Sequence, residues 1–160
     1  LPENLIYIGS QAFAYCTSLQ SISIPDGITE IQRGQFISCS SLKSITLPNT
    51  IKQIAEDAFS SCESLQSIVL PEDLITIGNM AFYDCSSLSE ITIPKSVLHI
   101  SKEAFWDCPS LNAVTILSET PPSIESNPFT VEKIRVPKES LTKYKRSKIW
   151  KKIAKYTPID

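Results

Sequence analysis

Five cysteines carry the most versatile side-chain chemistry in this 160-residue chain, and they recur at a fixed step of 23 residues. They are Cys16, Cys39, Cys62, Cys85 and Cys108. Metal sites commonly use closely spaced cysteine pairs, because the ligands must converge on one ion, and the sequence has none. If successive coils stack, neighbouring cysteines lie at roughly the Cα spacing of a disulfide. Their side chains then point in the same direction and not toward each other. The spacing favours buried thiols that act as small apolar side chains, with disulfides as the alternative.

Histidine and serine offer little catalytic chemistry. His99 is the sole histidine, and the positions equivalent to it hold different residues in each repeat, which predicts a surface residue. A catalytic triad needs a base, an orienting group and an activated nucleophile within reach of one another. Neither a G-x-S-x-G elbow nor an H-E-x-x-H pair occurs, and the four glycines form no phosphate-cradling loop. We therefore expect no enzyme activity, no cofactor and no metal ion.

The 23-residue step extends to other residue types, and this repeat determines the fold. The repeated positions are Pro2, Pro25, Pro48, Pro71 and Pro94; Phe13, Phe36, Phe59, Phe82 and Phe105; and Leu19, Leu42, Leu65, Leu88 and Leu111. A unit of this length cannot bury its own apolar face, so neighbouring units must stack and share a core. The sequence predicts a leucine-rich-repeat solenoid of five coils.

Each coil is predicted to contain one short strand, and these strands to form a parallel sheet. In the third coil Ile68 and Leu70 point inward and alternate with Ser67 and Val69, a period of two that is typical of a strand. Pro71 ends it, because proline cannot donate to a sheet. Polar residues before Phe59 predict tight helical turns on the other side of the coil. The step from Ile51 to Ile54 predicts a further brief extended segment.

The regular register ends after Ile116, so we divide the chain into five repeats over residues 1–116 and a different segment over 117–160, within one structural domain. The second part contains a degenerate sixth coil, with Phe129 in the phenylalanine position, followed by a basic helical cap. Apolar residues among the lysines from Glu139 to about Tyr156 predict an amphipathic helix, broken near Ser147. Trp150 would cover the last coil. Further repeats or a separate cap are expected before Leu1, because an unpaired coil edge is an aggregation hazard.

The string Leu65-Gln66-Ser67-Ile68-Val69-Leu70-Pro71, followed by Leu74, Ile77-Gly78, Ala81-Phe82 and Cys85, resembles the BspA-like class of leucine-rich repeat. The ending Val136-Pro137-Lys138-Glu139-Ser140, with Tyr144 and Trp150, is similar to that family's C-terminal cap. The sequence departs from the family pattern at Gln35, where alanine is usual, and at Gln32, Ala55 and Ser101, where glycine is common. We interpret these differences as loop variation. The resemblance implies a bacterial cell-surface or secreted protein that acts in adhesion, and it carries over no catalytic residue.

Two surfaces are candidates for binding. The first is the flat, Ser/Thr-rich outer face of the sheet, with candidate residues Ser21, Ser44, Thr46, Ser67, Val69, Glu90 and Thr92. This face lacks an aromatic ring, so a host or cell-surface protein is favoured as partner over a carbohydrate. The second is the pair Tyr83 and Trp106, which occupy the same position in adjacent coils; exposed aromatics are enriched at binding hot spots. The alternatives are an idle sheet face and aromatic rings that pack down locally.

Charge is divided unevenly along the chain. Residues 1–132 hold 5 Lys and Arg against 15 Asp and Glu, a net charge of −10, whereas residues 133–160 carry a net charge of +8. A third possibility is binding of nucleic acid or an anionic surface by basic residues of the cap, namely Lys143, Lys145, Arg146, Lys148, Lys151 and Lys152. The acidic repeats disfavour nucleic acid as a partner, and no apolar run is long enough to span a membrane. The competing hypothesis for function is a structural spacer or a segment that self-assembles head to tail through its opposite charges.

Overall fold

The chain winds into 23-residue coils that place each copy of the repeat above the next. The computed structural model describes residues 1–159. In chain order the strands are β1 (Ser21–Ser23), β2 (Glu30–Ile31), β3 (Ser44–Thr46), β4 (Gln53–Ile54), β5 (Thr76–Ile77), β6 (Glu90–Ile93), β7 (His99–Ile100), β8 (Ala113–Ile116), β9 (Ser123–Ile124), β10 (Lys133–Val136) and β11 (Lys155–Pro158). One helix, α1 (Leu141–Arg146), lies near the C-terminus between short 3-10 helices at Lys138–Ser140 and Trp150–Lys152. The predicted solenoid is confirmed.

Most coils contribute two strands rather than the predicted single strand. The brief extended segment at Gln53 and Ile54 belongs to a five-stranded parallel sheet of order β2-β4-β5-β7-β9. Its register follows the repeat, with Ile31 opposite Ile54 and Ile54 opposite Ile77. Two residues are enough for a strand here, because each coil hydrogen-bonds to copies of itself above and below. This second sheet runs uninterrupted from the second coil into the sixth coil.

The main sheet, formed by the strands that precede each proline, is interrupted at the third coil. β1 pairs with β3, and β6 pairs with β8, which pairs with β10, all in parallel. Between β3 and β6, residues 67–70 lie outside any assigned strand, so the predicted strand there is wrong, although Ile68 and Leu70 are buried as expected. Loop contacts accompany this interruption: the amide of Ser64 donates to the Ser40 carbonyl at 3.2 Å, and that of Ser87 to the Glu63 carbonyl at 3.1 Å. The third coil is thus hydrogen-bonded to both neighbours through a loop, and its strand segment is left unpaired.

The predicted helical turns are a run of tight turns hydrogen-bonded to the next coil. The amides of Phe59 and Ser61 donate to carbonyls of the following coil, each at 2.8 Å, whereas those of Ser60 and Cys62 donate to carbonyls three residues earlier. Asp57 and Ser61 adopt positive φ angles of 56° and 57°. Every second amide therefore donates to the next coil. An α-helix requires its amides to donate within the same segment, so this segment cannot be helical.

Two ladders of identical side chains run through the core. The rings of Phe13, Phe36, Phe59, Phe82, Phe105 and Phe129 stack with centroids 5.0 to 5.4 Å apart and nearly parallel planes. Beside them the thiol of Cys62 donates to the Phe36 carbonyl at 3.2 Å, and Cys39, Cys85 and Cys108 repeat this contact on the phenylalanine 26 residues earlier. All five cysteines are free thiols, four of them buried. Each of the four buried thiols therefore packs as a small apolar group and also satisfies a backbone carbonyl.

Gln35 is not a loop variation, because its side chain is fully buried in the core. Its Oε1 accepts a hydrogen bond from the backbone N–H of Gln32 at 2.8 Å. Its Nε2 has no partner within residues 1–159. The glutamine thus satisfies one backbone donor and leaves an amide donor unsatisfied in the position that alanine fills in most of the other coils.

The cap closes the C-terminal end with a plug and a strand. Trp150 is buried against Phe129, with 6.5 Å between ring centroids, and its Nε1 donates to the Pro122 carbonyl at 2.7 Å. The helix α1 ends before Ser147, as predicted, but the chain does not return to an α-helix. Residues 155–158 form β11 instead, which pairs in parallel with β10. The helix predicted to reach Tyr156 is therefore wrong: a sheet edge at β10 requires a partner, and β11 supplies it.

Candidate functional site

The outer face of the main sheet presents the predicted small polar residues to solvent. Strand alternation sends Ile22 and Ile45 toward the core and their neighbours outward. Parallel pairing then places like residues side by side, with Ser21 opposite Ser44 and Ser23 opposite Thr46. Ser21, Ser44, Thr46, Ser67, Val69, Glu90 and Thr92 are all exposed. The geometry therefore gathers all seven sheet-face candidates on one flat surface.

A groove of about 450 Å³ opens in this face at the interruption of the sheet. It lies between the unpaired segment of the third coil and β6. Its lining comprises Ser67, Ile68, Val69, Leu70, Glu72, Glu90, Ile91, Thr92, Pro94 and Leu117. Four of the sheet-face candidates, Ser67, Val69, Glu90 and Thr92, belong to this lining; Ser21, Ser44 and Thr46 lie outside the groove. We call this feature the strand groove.

The strand groove combines exposed apolar side chains with an acidic rim. Val69 is 85% exposed and Leu117 is 41% exposed, so the groove presents two aliphatic side chains to solvent. Glu72 and Glu90 supply the carboxylates, and neither forms a salt bridge within residues 1–159. The amides of residues 67–70 also make no hydrogen bond in that part of the chain. The groove thus offers apolar contact, negative charge and free backbone donors.

The sequence patterns predicted only part of this site. Val69 stands out as an aliphatic residue where the other coils have serine or threonine, and that signal marks the groove. Glu72, Pro94 and Leu117 were missed, because they follow the strands and become neighbours only where the sheet is interrupted. A change in loop hydrogen bonding between coils leaves no mark in the repeat pattern.

The second predicted surface, at Tyr83 and Trp106, lies in the turn run and outside both sheets. The amide of Asp84 donates to the Trp106 carbonyl at 3.0 Å, so the two aromatic positions are adjacent, as predicted. Trp106 is 40% exposed, whereas Tyr83 is half-buried. The structure does not bring this pair together with the sheet face, so the two surfaces would engage separate partners or separate parts of one.

The buried thiols of the protein are held in an unreactive state. Burial raises the pKa of the Cys62 thiol to about 12 and those of Cys39 and Cys108 to about 11. A thiol reacts as its thiolate, which these environments suppress. His99 is half-buried rather than fully exposed, and its Nδ1 lies 2.8 Å from the Ser123 hydroxyl. Within residues 1–159 no three His, Cys, Asp or Glu side chains are grouped to hold a metal ion.

The repeat that builds both surfaces also places the chain among known proteins. A family model described as BspA type leucine rich repeat region matches residues 1–112, with six copies. The chain belongs to the BspA-type leucine-rich repeat family. Proteins of this family are often surface proteins involved in protein interactions, and such solenoids are typically binding or structural modules rather than enzymes. No curated protein sequence matches the chain.

Solved structures agree with this assignment. The leucine-rich repeat protein TpLRR of T. pallidum is similar over 99% of this BspA-type chain and 68% of its own, with 27% identity and a TM-score of 0.70. A leucine-rich repeat protein from Bacteroides ovatus is similar over 87% of this chain and 51% of its own, with 26% identity and a TM-score of 0.61. The pneumococcal vaccine antigen PcpA shares the fold over 98% of this chain and 44% of its own, with 24% identity and a TM-score of 0.68. This chain therefore spans between 44% and 68% of these proteins.

No helix within residues 1–159 is both long enough and apolar enough to cross a bilayer. The helical segments of the BspA-type chain are confined to the short cap elements between Lys138 and Lys152.

Proposed function

We propose that this protein is a non-enzymatic binding module of a bacterial cell surface or secreted protein, and that it recognises a partner protein through its main sheet face. The observation that carries the proposal is the strand groove, in which Val69 and Leu117 are exposed beside two free carboxylates. Membership in a family of surface proteins supports the location. The suppressed thiol chemistry described above supports a binding role over a catalytic one.

Outside the strand groove the face is flat, and this favours a protein over a small ligand. Ligand pockets enclose most of a small molecule's surface, whereas here the surrounding side chains are short serines and threonines on a level sheet. Protein interfaces are broad, with an apolar centre and a polar rim. The exposed aliphatic pair would form the centre, and residues such as Ser44 and Thr46 would form the rim.

The chemistry of the strand groove defines the partner segment that fits it. An extended segment carrying an aliphatic side chain next to a lysine or arginine would bury the aliphatic group against Val69 and pair its cation with Glu72 or Glu90. Electrostatic attraction to the acidic repeats would accelerate the encounter.

The test is binding of the purified protein to an array of extracellular-matrix and cell-surface proteins, with a Ser44→Arg/Ser67→Arg double variant beside it. Arginine at these exposed positions obstructs the face without entering the core, so binding is expected to weaken at least roughly tenfold while the unfolding midpoint stays unchanged. The matched control is Thr29→Arg/Gln53→Arg, which adds the same charge at exposed positions next to and within the second sheet. Equal binding by both double variants would rule out the main sheet face.

A second candidate function is head-to-tail self-assembly as a spacer, favoured by the opposite charges of the repeats and the cap. Association of this kind would weaken as salt screens the charges. Sedimentation at low salt and high protein concentration tests it: a monomer under those conditions would contradict self-assembly and leave the protein-binding proposal intact.

A further inference from the structure

The C-terminal cap holds a concentration of positive charge that the repeats do not neutralise. Ten of the chain's fifteen lysines and arginines lie in residues 133–160. The salt bridges found within residues 1–159 join Arg33 to Glu56, Lys52 to Asp73 and Lys102 to Glu103, all in the repeats. The cations of the cap are therefore without an acidic partner in that part of the chain, and they are available to an external anion.

Three of these lysines converge on one hollow of about 270 Å³. Lys145 comes from α1, Lys151 from the last 3-10 helix and Lys155 from the start of β11. Ala154 and Tyr156 complete the lining, which contains no carboxylate. An adjoining hollow of about 430 Å³ shares Lys151 and Lys155, adds Lys152 and includes one acidic residue, Glu132. We call the two together the lysine hollow.

The backbone that carries these lysines is fixed by contacts independent of any ligand. The amide of Lys155 donates to the Glu132 carbonyl at 2.8 Å, at the start of the β10–β11 pairing. The amide of Lys151 donates to the Ser147 carbonyl at 3.2 Å. The Tyr156 hydroxyl donates to the Trp150 carbonyl at 2.6 Å, which joins β11 to the 3-10 helix. The backbone beneath the three lysines is therefore already ordered, so binding requires only their side chains to be fixed.

The side chains around the lysine hollow determine which class of polyanion fits it. Single-stranded nucleic acids bind where aromatic rings stack on their bases, and such stacking adds substantially to the charge contacts. All three aromatic residues of the cap, Tyr144, Trp150 and Tyr156, are buried, so no ring is available to a base or to a sugar. Lysine also acts as a point charge, without the planar fork with which arginine reads a base edge. Recognition here rests on charge density.

We propose that the lysine hollow binds the sulfate groups of an acidic polysaccharide. A flexible, densely charged chain can place successive anionic groups near Lys145, Lys151 and Lys155 without needing a stacking partner. This site is separate from the main sheet face, so each can be tested while the other is left intact.

The experiment measures binding of heparin to the full chain by calorimetry over a series of salt concentrations, with neutral dextran as a negative probe. In the variant Lys145→Gln/Lys151→Gln/Lys155→Gln, affinity at low salt is expected to fall at least roughly tenfold, and the slope of log K against log salt to decrease by about two to three. The corresponding lysine-to-arginine triple variant is expected to retain binding, because charge alone is recognised.

The matched control is Lys138→Gln/Lys143→Gln/Lys148→Gln, which removes the same charge from exposed positions outside the lysine hollow. It is expected to change affinity by less than about threefold. Equal losses in the two glutamine triples would overturn the proposal, since heparin would then sense only net charge. So would the absence of heparin binding at low salt, or tighter binding of a single-stranded oligonucleotide of equal charge. The Ser44→Arg/Ser67→Arg variant should bind heparin normally.

Discussion

Replacing Phe59 with alanine tests the physical basis of the stack. The ring is fully buried, and it lies 5.4 Å from the ring of Phe36 and 5.2 Å from that of Phe82. Removing it creates a cavity between two coils that are held apart by their own backbone hydrogen bonds, so collapse is restricted. Large-to-small changes of this type cost about 3–5 kcal/mol, of which the two stacking contacts account for about 1–3 kcal/mol.

The magnitude should depend on position along the ladder. Phe13 is half-buried and stacks on Phe36 alone, so Phe13→Ala is expected to cost about half as much as Phe59→Ala. Phe59→Leu keeps most of the apolar volume and should cost about 1.5 kcal/mol or less. Urea unfolding followed by far-ultraviolet circular dichroism measures all three free energies of unfolding. A cost below about 1 kcal/mol for Phe59→Ala would refute the assignment of the ladder as core.

The remaining predictions concern the thiols and the cap. Cys16 is the half-buried member of the cysteine ladder, so a thiol reagent at pH 8 should label it first, and label the four buried cysteines only as the protein unfolds; rapid labelling of Cys62 would contradict their burial. Because burial raises the pKa of the Cys62 thiol to about 12, its contribution to stability is complete below the unfolded value of about 8.5 and is lost as the pH rises towards 12, by up to about 1.4 kcal/mol per pH unit. Unfolding free energies that stay constant between pH 8 and 11 would refute this. Trp150→Ala should destabilise the protein by about 3–5 kcal/mol in the same urea assay, because the ring is 2% exposed and covers the last coil; a loss under about 1 kcal/mol would mean that the cap is not part of the core.

The features predictable from the sequence are those that repeat. Five copies of the Phe and Cys positions imply ladders, because stacking places each residue over its copy, and the alternation around Ile91 and Ile93 gives the strand that forms there. The isolated Trp150 among lysines was enough to predict a plug. In each case one residue type at one spacing determines one contact.

The features that the sequence did not predict depend on the pattern of hydrogen bonds between neighbouring coils. Asp57 and Ser61 adopt positive φ angles where the backbone amides donate to the next coil. Because these residues are not glycine, their types do not predict such angles. The break in the main sheet coincides with loop bonds at Ser64 and Ser87, and β11 pairs with an edge that only the folded chain presents. The strand groove, which depends on the break, was therefore visible in the sequence only through Val69.

The most direct test of the account is hydrogen exchange of the backbone amides, measured on the free protein and on its complex with a partner from the array. In the free protein the amides of residues 67–70 lack hydrogen bonds, so they should exchange much faster than those of the second sheet, such as Ile77. Binding at the strand groove predicts that residues 67–70 become protected in the complex. Protection confined to the Tyr83–Trp106 surface or to the cap, with residues 67–70 still exchanging rapidly, would contradict the proposed site.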